Sequence, residues 1–278
     1  MVDEIVAIEA RDLEDAWFQC MYEILTEGRV FTIDQGSYSG QKRLEFFYTV
    51  IDIRFPGTRP LTPRIPPQYG IVDPVDPDYV DNYLLYLMTP EKSENESYTY
   101  GERLTRAEIP EFLSILLRRE IEDEKELVYL DPECIENPTI IIREGKKLYL
   151  NQVEWVIWTY KNKGFRNNQL ILQVGSPSDL VLRDPPCLRH IDTRIQDGKL
   201  HFFPYFRSWD LWGGFPANLA GIQLLKEYMA SCIGVEDGKI VASSKGLHIY
   251  DYAFDIAKAL RMCEDYFLEG ESSHESGN

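Results

Sequence analysis

Residues 184–190 read DPPCLRH, with Cys187 directly after two prolines and at the start of a strand-like run. A proline pair fixes φ and removes two amide donors, so the chain reaches the thiol along a stiff, extended path. A cysteine held this way serves either as a packing residue or as a nucleophile. Its surroundings bear on the choice. Asp197-Gly198 is a two-residue turn signal between HIDTRIQ and KLHFFPYFRS, so Gln196 should pair with Lys199. Carried back along the ladder, that register sets Cys187 opposite Ser208 and beside Arg207. Arg207 then points to the other face unless one residue is bulged, and Pro204, which cannot donate to a ladder, is the expected place. A cation brought round to the thiol would lower its pKa and activate it; a solvated surface arginine is the alternative.

Downstream, Gly213, Gly214 and Pro216 turn the chain into a helix with Asn218 in its first turn. The Asn218 amide has one acceptor and two donors, which suit the O4 and N3–H edge of a uracil, many other partners, or a capping role. In GLHIYDY, His248 and Tyr250 stand two apart on a strand, hence on one face, either as hydroxyl ligands or as satisfied core polars.

These residues need elements to position them. Residues 11–27 place Leu13, Trp17, Cys20, Met21, Ile24 and Leu25 on one helical face closed by Gly28. A polar loop and a strand, LEFFYTVIDIR, follow. Residues 56–77 then hold seven prolines and exclude regular structure. Helices are expected near residues 79–88 and 107–120, with the acidic loop EKSENES and then YTYGERL between them. The second half alternates: a strand at 139–142, a helix at 152–161, the strand QLILQV, the hairpin, the Asn218 helix burying Leu219, Ile222, Leu225, Tyr228 and Met229, the strands KIVASS and LHIYDY, and a helix ending near residue 268. Residues 269–278, EGESSHESGN, are too polar to pack and read as a disordered acidic tail after one catalytic domain at 1–268.

With 278 residues, 44% of them hydrophobic, the chain can bury a full core. Twenty-nine Lys and Arg against 46 Asp and Glu give a net charge of −17, the wrong sign for polymeric nucleic acid or an anionic membrane. Five scattered cysteines without a CxxC pair argue against a disulfide framework and a zinc site. An acidic N-terminus and short apolar runs indicate a cytoplasmic protein.

PPC, DGKL, RSxD, GxPxN and HxY, in that order, together resemble the thymidylate synthase and pyrimidine hydroxymethylase superfamily, most closely its archaeal-type branch. The resemblance is close over about the last 115 residues and loose before, through DQGSYSG and YGERL. It implies an α/β fold in which a large mixed sheet is layered with helices. It also implies roles. Cys187 matches the thiolate that adds to C6 of the pyrimidine; Arg207 and Ser208 match phosphate ligands. Asp210 matches the carboxylate that holds the pterin of a reduced methylene-pterin co-substrate, Asn218 the uracil reader, and His248 with Tyr250 the ligands of the deoxyribose 3′-hydroxyl. Tyr100 and Glu102, in the looser YGERL match, are further candidates.

The departures are specific. Leu188 replaces the family's histidine after the nucleophile, and Phe206 replaces its glutamine before the phosphate arginine. Phe165-Arg166-Asn167-Asn168 retains at most Arg166 of a paired-arginine motif, and Gln35 stands where the phosphate loop has an arginine. The general-base glutamate has no clear match among Asp81, Asn82 and Glu102. The expected reaction is methylation of dUMP, with the pterin a tetrahydrofolate or methanopterin type. Asn218 favours it, since relatives acting on cytosine carry Asp there. Hydroxymethylation of dUMP, dCMP or CMP and non-catalytic nucleotide binding are the alternatives; Cys187 speaks against the last. Loss of the arginines allows a monomer as readily as a homodimer.

Overall fold

The computed structural model describes residues 5–34, 39–94, 96–111, 113–114 and 131–261, apart from the side chains at 77, 81 and 132. β1 (Ile5–Ala10) leads into α1 (Leu13–Glu27), followed by β2 (Arg29–Thr32), β3 (Lys42–Glu45) and β4 (Tyr48–Ile53). The proline-rich segment, with a single 3-10 turn at Pro67–Tyr69, carries the chain to α2 (Pro77–Met88) and α3 (Tyr100–Thr105). Next come β5 (Ala107–Glu108), α4 (Pro132–Glu136), β6 (Ile141–Glu144), β7 (Lys147–Leu150), α5 (Gln152–Lys163) and β8 (Ile171–Gln173). β9 (Leu188–Gln196) and β10 (Lys199–Phe206) form the hairpin, β11 (Trp209–Asp210) opens into α6 (Gly214–Ile233), and β12 (Glu236–Ser244) and β13 (Leu247–Tyr250) complete the sheets. Residues 254–261 are helical.

A six-stranded mixed sheet in the order β1-β4-β12-β10-β9-β8 is flanked by a four-stranded sheet, β11-β13-β3-β2, and a small one, β5-β7-β6. This is the expected layered α/β class. β10 runs parallel to β12 and antiparallel to β9. At the turn, Asp197 (φ 53°) and Gly198 (φ 72°) both take positive φ, as a hairpin connection of this length requires.

The helices follow from their caps and stripes. Asp12 caps α1 by accepting from Asp15 N (3.0 Å), and the helix buries Leu13, Ala16, Trp17, Cys20, Met21 and Ile24. Trp17 spends its polar edge on Leu211 O (2.9 Å), tying α1 to the turn before α6. α6 packs between α1, α2 and the large sheet and is apolar over most of its length. Tyr228 departs from the expected stripe. It is 38% exposed and donates to Glu154 at 3.3 Å.

Other expectations need correction. The run LEFFYTVIDIR is two strands in two sheets, broken at Phe46-Phe47, because Phe46 turns into the core where β3 hands over to β4. Ala107–Glu108 is a strand paired with β7, so the expected 107–120 helix does not begin there; most of its remainder lies outside the described residues. Pro204 is neither an edge nor a bulge residue: it pairs with Ile191 in the interior of the sheet. The acidic tail, Cys263 and the end of the last helix lie outside the described residues. No helix among the described residues is long and apolar enough to cross a membrane.

Candidate active site

The hairpin register runs as the turn dictates from Lys199↔Gln196 to Tyr205↔His190 and then slips, so that Phe206 pairs with Leu188. The residue left over is Arg189, on β9. Its carbonyl accepts from both Val174 N (3.0 Å) and Gly175 N (2.7 Å), which satisfies the bulged backbone. The bulge therefore sits on the strand opposite the one expected, with the same result: Arg207 N donates to Cys187 O (2.9 Å), and the two residues face each other.

The Arg207 side chain turns onto the proline pair. Nε donates to Pro185 O and Pro186 O (both 3.2 Å), and Nη2 reaches Pro185 O (2.5 Å) and Asp184 (3.2 Å). Nη1 has no partner among the described residues, which leaves its two N–H groups for a ligand. The thiol is half-buried, and burial pushes it above the ordinary cysteine value; Arg207 and Arg189 pull it down, Asp184 pushes it up. The cation thus acts in the expected direction and is outweighed by desolvation. Arg189 is itself held by Asp179 (3.2 Å), a buried carboxylate that also accepts from Arg103 (2.8 Å).

A tyrosine series closes this side of the site. Leu188 N donates to the Tyr100 hydroxyl (3.2 Å), and Tyr100 N donates to the Tyr86 hydroxyl (3.2 Å). Ring contacts continue from Tyr100 to Tyr86 (6.2 Å) and from Tyr86 to Tyr83 (5.5 Å). Burial and the neighbouring thiol raise the Tyr100 phenol, and burial, Asp184 and the thiol push Tyr98 up to about 12. Both phenols stay protonated and able to donate.

The other wall is built where the chain leaves the large sheet. Ser208, half-buried, follows Arg207; Trp209 and Asp210 form β11, which pairs in parallel with Leu247 and His248 of β13. Asp210 caps α6: Oδ2 accepts from Gly213 N and Gly214 N (both 3.0 Å), and Oδ1 from Trp212 N at 3.3 Å. Asn218, one turn into α6, accepts at Oδ1 from Trp209 Nε1 (3.0 Å) and donates from Nδ2 to the Tyr83 hydroxyl (2.6 Å). Tyr83 approaches because position 221 is glycine; a Cβ there would lie 2.1 Å from the ring.

His248 is 2% exposed. Its Nδ1 lies 2.9 Å from Gly246 O, which can only accept, so Nδ1 carries the proton and Nε2 presents a lone pair. That Nε2 is buried and unpartnered among the described residues. Burial lowers the imidazole pKa, so the ring is neutral at neutral pH. A buried acceptor of this kind calls for an O–H or N–H donor from a ligand. Tyr250 packs edge-on against the ring at 4.8 Å.

Cys187, Arg207, Ser208, Asp210, Asn218, His248, Tyr250 and Tyr100 therefore lie along one run of contacts. Arg166 does not join it: it is exposed on the loop after α5. Glu102 is ion-paired with Lys92 (3.0 Å), and Asn82 is exposed, donating to Asp78 O (3.1 Å). Gln35 and the Asp81 side chain lie outside the described residues. Sequence reading passed over Trp209, Tyr83, Arg189 and the Asp179 clamp. Tyr79, Tyr83 and Tyr86 share one helical face by their spacing, a signal that could have flagged Tyr83.

The thymidylate synthase family model matches residues 98–264, more than half of the chain. A Methanosarcina acetivorans protein named "putative thymidylate synthase" is 29% identical over 251 residues, 90% of this chain and 92% of its own length. A namesake from Methanothermobacter thermautotrophicus is 26% identical over 256 residues, 91% of this chain and 96% of its own. The deoxyuridylate hydroxymethyltransferase of Bacillus phage SP01 is 34% identical over 94 residues, 33% of this chain and 24% of its own. The chain belongs to the thymidylate synthase family, enzymes of one-carbon transfer to a pyrimidine nucleotide.

Proposed function

We propose that this protein is a cytoplasmic thymidylate synthase that methylates C5 of dUMP. The observation that carries the reading is the unbroken run of contacts from Cys187 through the tyrosines to Asn218, Trp209, Asp210 and His248, which joins a nucleophile, a base-reading amide and an unpartnered buried acceptor. Arg207 Nη1 and Ser208 receive the phosphate, so an acidic protein binds an anion through local donors. His248 Nε2 accepts from the sugar 3′-hydroxyl beside Tyr250.

Cys187, once ionised, bonds to C6 of the uracil; the C5–C6 π pair moves onto C5 and O4, where an Asn218 N–H stabilises it. C5 becomes the nucleophile toward the one-carbon unit. Loss of the C5 proton breaks the bond between the one-carbon unit and the pterin nitrogen, which leaves with the electron pair, so an exocyclic methylene forms with Cys187 still on C6. Hydride addition to that methylene returns the pair to C5 and O4, the C5–C6 double bond re-forms, the S–C6 bond breaks and the thiolate leaves. The reduced pterin, a tetrahydrofolate or methanopterin type, supplies the methylene group and then the hydride. Asp210 fits such a ring: its Oδ1 carries one long hydrogen bond and keeps acceptor capacity for a ring N–H.

Intact-protein mass spectrometry with 5-fluoro-dUMP and each candidate methylene-pterin tests the reading. A stable adduct that forms in the parent and not in Cys187→Ser supports it; no adduct with any donor removes it. A second reading, capture of the methylene by water to give a hydroxymethyl product, draws on the similarity to the phage hydroxymethyltransferase. Chromatography of the product separates the two. On assembly, exposed Arg166 reaches a nucleotide only in a neighbouring subunit, or not at all. Mixing Cys187→Ser with Arg166→Ala restores activity if the site is shared, and leaves none if each chain works alone.

A further inference from the structure

Asn218 is useful as a base reader only if its amide stands one way round. Uracil offers an acceptor at O4 and a donor at N3, cytosine the reverse, and a primary amide that is free to flip suits both. Here the amide has two fixed neighbours of different chemical kind. Trp209 Nε1 lies 3.0 Å from Oδ1, and the Tyr83 hydroxyl lies 2.6 Å from Nδ2. A tyrosine hydroxyl donates or accepts and tolerates either orientation; an indole N–H can only donate. Flipping the amide would set an NH2 group against the indole N–H, leaving two donors without acceptors.

The indole cannot turn away. Trp209 is 2% exposed, stacks on Phe206 at 3.8 Å with ring planes 6° apart, and packs against Phe215 at 4.6 Å. Its backbone is tied into β11, where its N–H donates to Gly246 O (3.0 Å). Tyr83 is equally confined, its ring filling the notch at Gly221. With both bonds made, one N–H and one Oδ1 lone pair of Asn218 remain without a partner among the described residues.

We propose, resting on the dUMP reading above, that Trp209 is a specificity-determining positioning residue: its donor-only indole holds Asn218 in the orientation that pairs with uracil and refuses cytosine, while Tyr83 fixes where the amide stands. The two neighbours then have separable effects. Loss of the indole N–H frees the amide to flip and lets in the cytosine nucleotide. Loss of the Tyr83 hydroxyl loosens the amide but leaves its sense set by Trp209.

The test is tritium release from C5 of labelled dUMP and dCMP, read as the ratio of kcat/KM values, in the parent, Trp209→Phe and Tyr83→Phe. A fourth protein carries 3-benzothienylalanine at position 209, which keeps the bicyclic ring and puts sulfur in place of the N–H. It decides the matter if Trp209→Phe fails to fold. The dUMP-to-dCMP ratio is expected to fall at least about fivefold in both position-209 proteins, through a gain on dCMP. In Tyr83→Phe the KM for dUMP rises while the ratio holds. A ratio that changes less than about fivefold without the indole N–H, or that falls as far in Tyr83→Phe, overturns the proposal. A parent that prefers dCMP overturns the dUMP reading itself, an outcome distinct from either.

Discussion

Arg207 carries two loads that substitution can separate. Its guanidinium fork braces the carbonyls of Pro185 and Pro186, and its charge is the largest influence pulling the Cys187 thiol down against burial. Arg207→Ala leaves Pro185 O without its donor, while Pro186 O keeps Arg189 Nη1 at 3.4 Å. The side chain is 29% exposed, so the loss falls at the low end for an unsatisfied group, roughly 1 kcal/mol. The ion pair with Asp184 adds little, since that carboxylate is 83% exposed. In a chain of this size the loss lowers Tm by about 2 °C. Without the cation the thiol pKa moves further up, so iodoacetamide alkylation of Cys187 slows at neutral pH and its rise with pH shifts to more alkaline values. Arg207→Lys restores the charge but not the planar fork, and is expected to recover the alkylation profile while remaining destabilised. The assay is alkylation from about pH 6.5 to about pH 9.5, mapped to Cys187 by mass spectrometry, beside a thermal melt. An unchanged pH profile in Arg207→Ala refutes the electrostatic role, and an unchanged Tm refutes the bracing role.

Cys187→Ser is expected to turn over dUMP at less than about a thousandth of the parent rate while binding the nucleotide nearly as well, checked by tritium release and calorimetry. Gly221→Ala drives a Cβ to 2.1 Å from the Tyr83 ring, costs roughly 1–3 kcal/mol in urea unfolding, and weakens dUMP binding by displacing the partner of Asn218. Burial lowers the pKa of His190, His201 and His248, so the unfolded chain takes up protons that the folded chain refuses. Stability should therefore be flat above about pH 6.5 and fall as pH drops below it; the urea midpoint between about pH 7.5 and about pH 5.5 checks this, and His248→Gln should flatten the slope.

The residues of the candidate site were legible in the sequence because they are residue types at short, ordered spacings. Cys187 behind two prolines, the Asp197-Gly198 turn, Asn218 one turn into a helix, and His248 and Tyr250 on one strand face are local facts, and local facts survive folding. The register of the β9–β10 hairpin follows from its turn for the same reason. What the tertiary structure decided was every contact between partners distant in the chain. The bulge lies at Arg189 rather than near Pro204 because Val174 and Gly175, on a neighbouring segment, supply the donors that satisfy its carbonyl, while Pro204 fits the interior of the sheet. The thiol pKa is a balance of burial against cations, and burial is a property of the packed site. The place of the Asn218 amide depends on Tyr83, 135 residues away, and its orientation on the Trp209 indole, a donor that cannot also accept. Spacing along the chain determines which groups are present; only the three-dimensional arrangement of donors, acceptors and excluded water determines which way each one points.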